Sequence, residues 1–402
     1  MWLVPFEHLT EDQQNAVQNS FSKNRIIVGG PGSGKTLVLL HRARLAVGQG
    51  AELGSIRIFV YTKLLKQYLQ EGLVELGLTE EVVSTFDSYC LALFDEYVKG
   101  PRPKTDGKYI DFETLREKLL LKFEETSQKP LLDVVLVDEG QDLTVTAIKI
   151  LKFVSKHVTV AMDSRQQLYG VEMTPKLAAT SLGIPNQSAS LLTAYRCTQL
   201  IVDVAASFIV DEAEAAKFRA SNLLPLDGVE TPVAIQFNSD AEEWDALARA
   251  LEERALLNQT SAILCPTNYW VDRVQKELQA RGVPTSGDAD ADFTDLKPEI
   301  LTFHKAKGLT VDAVFLPGLL DSRFRGFGSD ELISNILFVG LTRATRFLWL
   351  GLRAAGGWSH LDRIKELDQR SSIRLTSPAG SQATTAKTGS SQTETPSMLD
   401  WL

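Results

Sequence analysis

Residues 25–36 read RIIVGGPGSGKT, an apolar run that breaks into a glycine-rich turn and then opens the helical stretch LVLLHRARLAV. This fixes more of the fold than any other segment: a buried strand must end where the glycines begin, and a helix must start at the lysine. Glycines let successive backbone N–H groups close around phosphate oxygens, and the helix N-terminus adds positive potential. Gly29, Gly30, Pro31, Gly32, Ser33, Gly34, Lys35 and Thr36 therefore form a candidate nucleotide cradle. In that setting Lys35 reaches the β- and γ-phosphates and Thr36 ligates magnesium.

A second apolar run, Leu131 to Val137, ends in Asp138-Glu139-Gly140-Gln141-Asp142. Acids placed where a buried parallel strand emerges at the carboxyl edge of a sheet stand where ligands bind. Asp138 is the candidate magnesium acid, and Glu139 the candidate base that orients and deprotonates an attacking water. Thr10-x-x-Gln13 has two readings. It fits a helix capping box, and Gln13, some twenty residues before the glycine loop, also carries an amide able to donate and accept at an adenine edge.

Apolar runs alternate with amphipathic stretches: RIIVGG, IRIFVYT, LLDVVLVDE and VTVAMD, then from about Leu191 VAIQF, SAILCP, EILTFH, AVFLPG and FLWLGL. This rhythm predicts βαβ units and parallel sheets in two α/β domains, 1–190 and 191–370. Residues 371–402, rich in Ser, Thr, Gly, Ala and Gln, predict a disordered tail that ends in the apolar peptide SMLDWL.

The 402 residues carry a net charge of −9, so bulk electrostatics cannot hold nucleic acid and any such groove must be local. His41 to Arg44, with Lys63 and Lys66, are the local basic concentrations, and a solvated helix face is the plainer alternative. Cys90, Cys197 and Cys265 are too far apart to encode a disulfide framework or a zinc site and are expected as buried small side chains. No run approaches the ~20 apolar residues of a membrane span, and the first residues are acidic where a signal peptide is basic, so the expected location is the cytoplasm without a membrane partner.

The boxes in order resemble UvrD/Rep-like superfamily 1 helicases: FEHLTEDQQNAV their Q motif, GGPGSGKT their P-loop, DEGQD their Walker B box, and MDSRQQLYG the motif after it. LLTAYRCT is similar to the N-Y-R-S box, LTFHKAKGLTVDAVFL to T-x-H-x-x-K-G-L, and ILFVGLTRATRFLWL to V-A-x-T-R-A. The resemblance implies two tandem RecA-like P-loop NTPase domains, ATP and magnesium as cofactors, and single-stranded DNA as partner, with RNA left open. It implies Gln166 as γ-phosphate sensor, Tyr195 stacked on adenine, Gly308 beside the nucleotide, and Arg196 and Arg343 as arginine fingers of the second domain. Thr62, Lys63, Thr85, Phe86, Tyr169, Thr302, His304 and Lys305 match the strand contacts. A catalytic centre split in this way would be complete only on domain closure, which converts hydrolysis into motion along a strand.

Departures cluster on the strand side. Thr310 stands for a glutamate, Ala194 for an asparagine, Gly170-Val171 for a further aromatic, and Ser334 and Asn335 for arginines. Only about 45 residues separate Ser88 from the Walker B strand and about 105 separate Arg196 from Thr302, so the accessory insertions of the family are expected to be reduced. An ATP-gated switch without directional movement is the competing reading. Met398, Leu399, Trp401 and Leu402 suit a partner-binding peptide, a sliding-clamp ligand being one form, or a segment folded back on the body.

Overall fold

The structure is a computed structural model; the residues described are 4–60, 63–127, 129–163, 173–185, 189–192, 197–220, 230–286 and 296–377. The chain divides into two units, one of Met1–Arg196, Ser221–Leu223 and Lys307–Leu309, the other of Cys197–Ala220, Leu224–Ala306 and Thr310–Leu402.

The first unit carries strands β1 (Arg25–Gly29), β2 (Ile56–Val60), β3 (Val83–Thr85), a small hairpin β4 (Lys104–Thr105) and β5 (Tyr109–Ile110), then β6 (Leu132–Val137), β7 (Ser155–Met162) and β8 (Ala189–Leu192). Six of them form one parallel sheet in the order β3-β2-β6-β7-β1-β8. Their near-continuous apolar runs suit a sheet covered on both faces. Val38, Leu39, Leu40 and Ala43 of helix Lys35–Gly48 pack one cluster with Ile58 and Leu136, while Val135, Ile148, Leu151 and Val158 belong to another.

The second unit holds β9 (Val233–Phe237), β10 (Ser261–Cys265), β11 (Glu299–Thr302), β12 (Val311–Leu319), β13 (Ala344–Arg353) and β14 (Arg374–Thr376), parallel in the order β11-β10-β12-β13-β9-β14. Numbered by appearance and leaving out the hairpin, the six strands of each sheet follow the same order, 3-2-4-5-1-6. Two parallel α/β units of one topology confirm the expected fold class, although no sequence repeat announces it. Two expected boundaries move. The first unit runs to Arg196 rather than 190, and β14 pairs with β9 inside the stretch expected as tail, because Leu375 and Thr376 extend the sheet edge. The SMLDWL peptide lies outside the described residues.

In the second unit the strand equivalent to β1 ends at Phe237, and Ser239 caps a helix whose first turn is acidic through Asp240, Glu242 and Glu243. Ser239 caps that N-terminus, whereas the equivalent helix of the first unit has no side-chain cap.

Candidate active site

The glycine loop leaves β1 with Gly32 at φ 75° and Gly34 at φ 79°, backbone that side-chain-bearing residues rarely adopt. A Cβ on Gly34 would also stand 2.5 Å from Gln13 Nε2. Helix Lys35–Gly48 starts directly after it, with no side chain capping its N-terminus. Its first N–H groups are therefore left for an external acceptor. Lys35 is 7% exposed and donates from Nζ to the Gly29 and Gly30 carbonyls at 2.9 and 3.0 Å. The Ser33 hydroxyl is fully buried and has no hydrogen-bond partner in the structure. An orphaned hydroxyl, a buried ammonium and a Cβ-free turn at a helix N-terminus fit a phosphate group.

Of the two sequence readings of Gln13, the structure shows the helix cap. The capping box is present: Gln13 N donates to Thr10 Oγ1 and Thr10 N to Gln13 Oε1, at 3.3 and 3.0 Å. The same amide donates from Nε2 to Ser33 O at 3.0 Å, which ties the capped helix to the loop. One N–H and one lone pair of the amide remain for a base edge.

Across the sheet, β7 lies between β1 and β6. The carboxyl ends still meet: Thr36 Oγ1 donates to Asp138 Oδ2 at 2.5 Å. A hydroxyl and a carboxylate at this separation fit a hard cation such as magnesium, which a phosphate would complete. Among the described residues no group of three or more His, Cys, Asp or Glu could hold a metal. Burial, then the Glu139 carboxylate, push the Asp138 carboxyl up to about 6, against the Thr36 hydrogen bond and the Lys35 charge.

Glu139 turns the chain with φ 55°, a left-handed conformation that costs a non-glycine residue about 1–2 kcal/mol. Its N–H donates to Asp138 Oδ1, and its Oε2 accepts from Gln141 Nε2 at 2.5 Å. Gln141, fully buried, also accepts from Asp163 N at 2.9 Å. Within the same unit Lys307 Nζ donates to Asp142 Oδ2 at 2.6 Å and lies 3.8 Å from Glu139 Oε2. Burial pushes the Asp142 carboxyl up to about 6, with Lys307 opposing. Gln141, Asp142 and Lys307 carry no local sequence signal of these contacts, because their partners are far away along the chain.

The remaining expected site residues are placed as follows. Gly308, at φ 83°, packs against Leu65, whose Cδ2 a Cβ there would meet at 2.7 Å. Arg343 is 2% exposed and turns back on the end of the preceding helix Asp330–Leu341, donating to Val339 O and Thr342 Oγ1. Thr85 caps helix Phe86–Leu93 through Ser88 N. Phe86 departs from expectation: it is 6% exposed, edge-on to Phe59 and beneath the Arg116 guanidinium, so its ring is committed to the core. Thr302 is 8% exposed and accepts from Lys305 N, while His304 stacks on Phe327 with centroids 5.8 Å apart. Lys63 opens helix Lys63–Glu75. Thr62, Gln166, Tyr169, Tyr195 and Arg196 lie outside the described residues.

The basic run His41–Arg44 is also corrected. Arg42 is fully buried and His41 4% exposed, so neither faces a solvent groove. Arg42 Nη1 donates to the Ala16, Val17 and Asn19 carbonyls, clamping the end of helix Glu11–Gln18, with its guanidinium 4.4 Å from the Phe21 ring centroid. The three cysteines are buried, as expected. No helix among the described residues is long and apolar enough to cross a membrane.

A glycine cradle before a helix, with an acid pair ending a strand two places away in an all-parallel sheet, defines a P-loop NTPase of RecA-like architecture. Residues 13–172 match the AAA domain family. A probable DNA helicase of Mycoplasma pneumoniae is 27% identical over 236 residues, 54% of this chain and 42% of the relative, so the match spans less than half of that protein's length. Among solved structures, the C-terminal domain of a possible DNA helicase from Lactobacillus plantarum aligns at TM-score 0.35 and 18% identity, over 46% of this chain and 98% of that one. The AAA-domain match and the probable DNA helicase relative are consistent with the boxes, which resemble those of UvrD/Rep-like superfamily 1 helicases.

Proposed function

We propose that the protein is an ATP-dependent single-stranded DNA translocase of superfamily 1, UvrD/Rep-like, that hydrolyses ATP with magnesium in order to move on the strand. The observation that carries this reading is the contact of Thr36 with Asp138, which joins the P-loop hydroxyl to the strand-end acid. Lys35 and the loop Gly29–Thr36 hold the phosphates, and Gln13 and Tyr195 hold the base. Thr36 and Asp138 hold magnesium, which when bound neutralises phosphate charge. Glu139 takes the proton of the attacking water, with Gln166, Arg196 and Arg343 stabilising charge on the transferred group. Thr62, Lys63, Thr85, Tyr169, Thr302, His304 and Lys305 contact the strand. The name of the Mycoplasma relative supports DNA as the polymer.

One observation favours a second reading, an ATP-gated binding switch without directional movement: the ring of Phe86 is buried and offers no stacking face. Arrival at the end of labelled single strands of increasing length separates the two. A translocase shows a lag that grows with length and depends on ATP. A switch hydrolyses or binds ATP with no dependence on length.

A further inference from the structure

Proteins that hold a single strand pair polar backbone contacts with rings on which bases stack. Phe86 gives its ring to the core, and the His304 ring is already covered on one side by Phe327, at 11° and 5.8 Å. Tyr109 and Tyr269 stand out as exposed rings, at 66% and 65%. What holds them differs. Tyr109 lies on the two-residue strand β5, in a hairpin too small to be stable by itself. Tyr269 lies in the first turn of helix Asn268–Gln279, just after β10 leaves the second sheet at Cys265. Cys265 is the register partner of Thr302, the last residue of β11. Tyr269 and the expected strand contacts Thr302, His304 and Lys305 therefore stand at one carboxyl edge, at the ends of neighbouring strands, where ligands of parallel sheets bind.

Tyr269 meets Trp270 edge to face, with centroids 5.4 Å apart and planes at 84°. Trp270 packs on the core of the second unit, and two guanidiniums lie over its ring, Arg323 at 3.8 Å and Arg273 at 5.1 Å. Both arginines are tied to Asp240, Arg273 at 2.8 Å and Arg323 at 3.6 Å. Arg323 fits because residue 318 is glycine, since a Cβ there would overlap its Nη1. The Tyr269 ring thus faces water from a floor of packed and ion-paired side chains. A ring held in this way has little freedom left to lose when a flat ligand settles on it.

Resting on the proposed binding of a strand, we propose that Tyr269 is a base-stacking residue of the second unit, against whose ring one unpaired nucleobase lies. Any of the four bases suits it, because stacking uses the face of a base and does not read its edge. A paired base inside a duplex keeps both faces covered by its neighbours, so this contact selects single strands.

Binding of the full chain to a labelled oligothymidine, to the same strand carrying abasic sites and to a duplex tests this, by anisotropy over a range of salt. Wild type, Tyr269→Ala and Tyr269→Phe are compared, beside their thermal unfolding. The expected result is single-strand binding weaker by ~10–100-fold in Tyr269→Ala and within ~3-fold of wild type in Tyr269→Phe. The salt slope stays the same in Tyr269→Ala, because no phosphate contact is lost. Abasic sites should weaken wild type more than Tyr269→Ala. Equal affinity in Tyr269→Ala and wild type, a loss shared by Tyr269→Phe, or a changed salt slope overturns the proposal and leaves the functional reading standing. A wild-type chain that binds no single strand overturns the functional reading itself, and this inference with it.

Discussion

Thr36 Oγ1 and Asp138 Oδ2 are 102 residues apart in sequence and 2.5 Å apart in space, although a complete strand, β7, separates the strands they follow. The contact needs both the helix to begin at the end of the glycine loop and β6 to run out at Val137. Removing the hydroxyl should therefore separate metal from phosphate binding. Thr36→Val is expected to weaken binding of magnesium nucleotide by ~10–100-fold while metal-free nucleotide affinity changes little, as titration with and without chelator would show.

The buried pair of Lys307 and Asp142 gives a stability prediction. Their side chains are at most 2% exposed, so losing one partner strands a charge in the interior. Lys307→Met should lower unfolding free energy by about 3–5 kcal/mol, and adding Asp142→Asn should recover part of that loss. Equal stability in Lys307→Met and wild type, measured by denaturant titration, would remove the pair from the account.

Arg42 holds three carbonyls at the end of the helix that bears Gln13. Arg42→Met keeps the length and loses every donor, at an expected cost of about 3 kcal/mol. Because that helix pins the P-loop through Gln13 and Ser33, nucleotide affinity should fall together with thermal stability.

His157 predicts how the protein responds to acid. Burial, then the Arg42 charge, hold its imidazole down to about 3, so the folded chain keeps it neutral where the unfolded chain protonates. The group's contribution to stability is therefore complete above pH ~6.5 and is lost as pH falls below it, by about 1.4 kcal/mol per unit. His157→Gln should flatten the fall of unfolding free energy between pH 6.5 and pH 4.5. A slope identical to wild type would mean that His157 titrates normally in the folded state.

The parts legible in the sequence are those whose partners are close along the chain. RIIVGGPGSGKT declares a strand, a turn and a helix within a dozen residues, and the four apolar runs of the first half and five of the second all emerge as strands. The edge strands β3, β8 and β14 are only three or four residues long and are not legible, whereas the equally short edge strand β11 is, because its EILT run is wholly apolar after the first residue up to Thr302. The box points Phe86 at the strand, yet Phe86, Cys90 and Leu93 recur at helical spacing and mark the buried face of their helix. Gln141 and Lys307 stand inside the DEGQD and LTFHKAKGL runs, but their roles depend on contacts to residues 22 and 165 positions away, which no local pattern encodes.

The central claim is hydrolysis driven by a strand. Its most direct test is ATP turnover by the full chain with no nucleic acid, single-stranded DNA, duplex or RNA, in wild type and Lys35→Ala. The account predicts turnover that rises ~10-fold or more on single-stranded DNA and falls by ~100-fold or more in Lys35→Ala. Turnover indifferent to every polymer, and surviving Lys35→Ala, would contradict it.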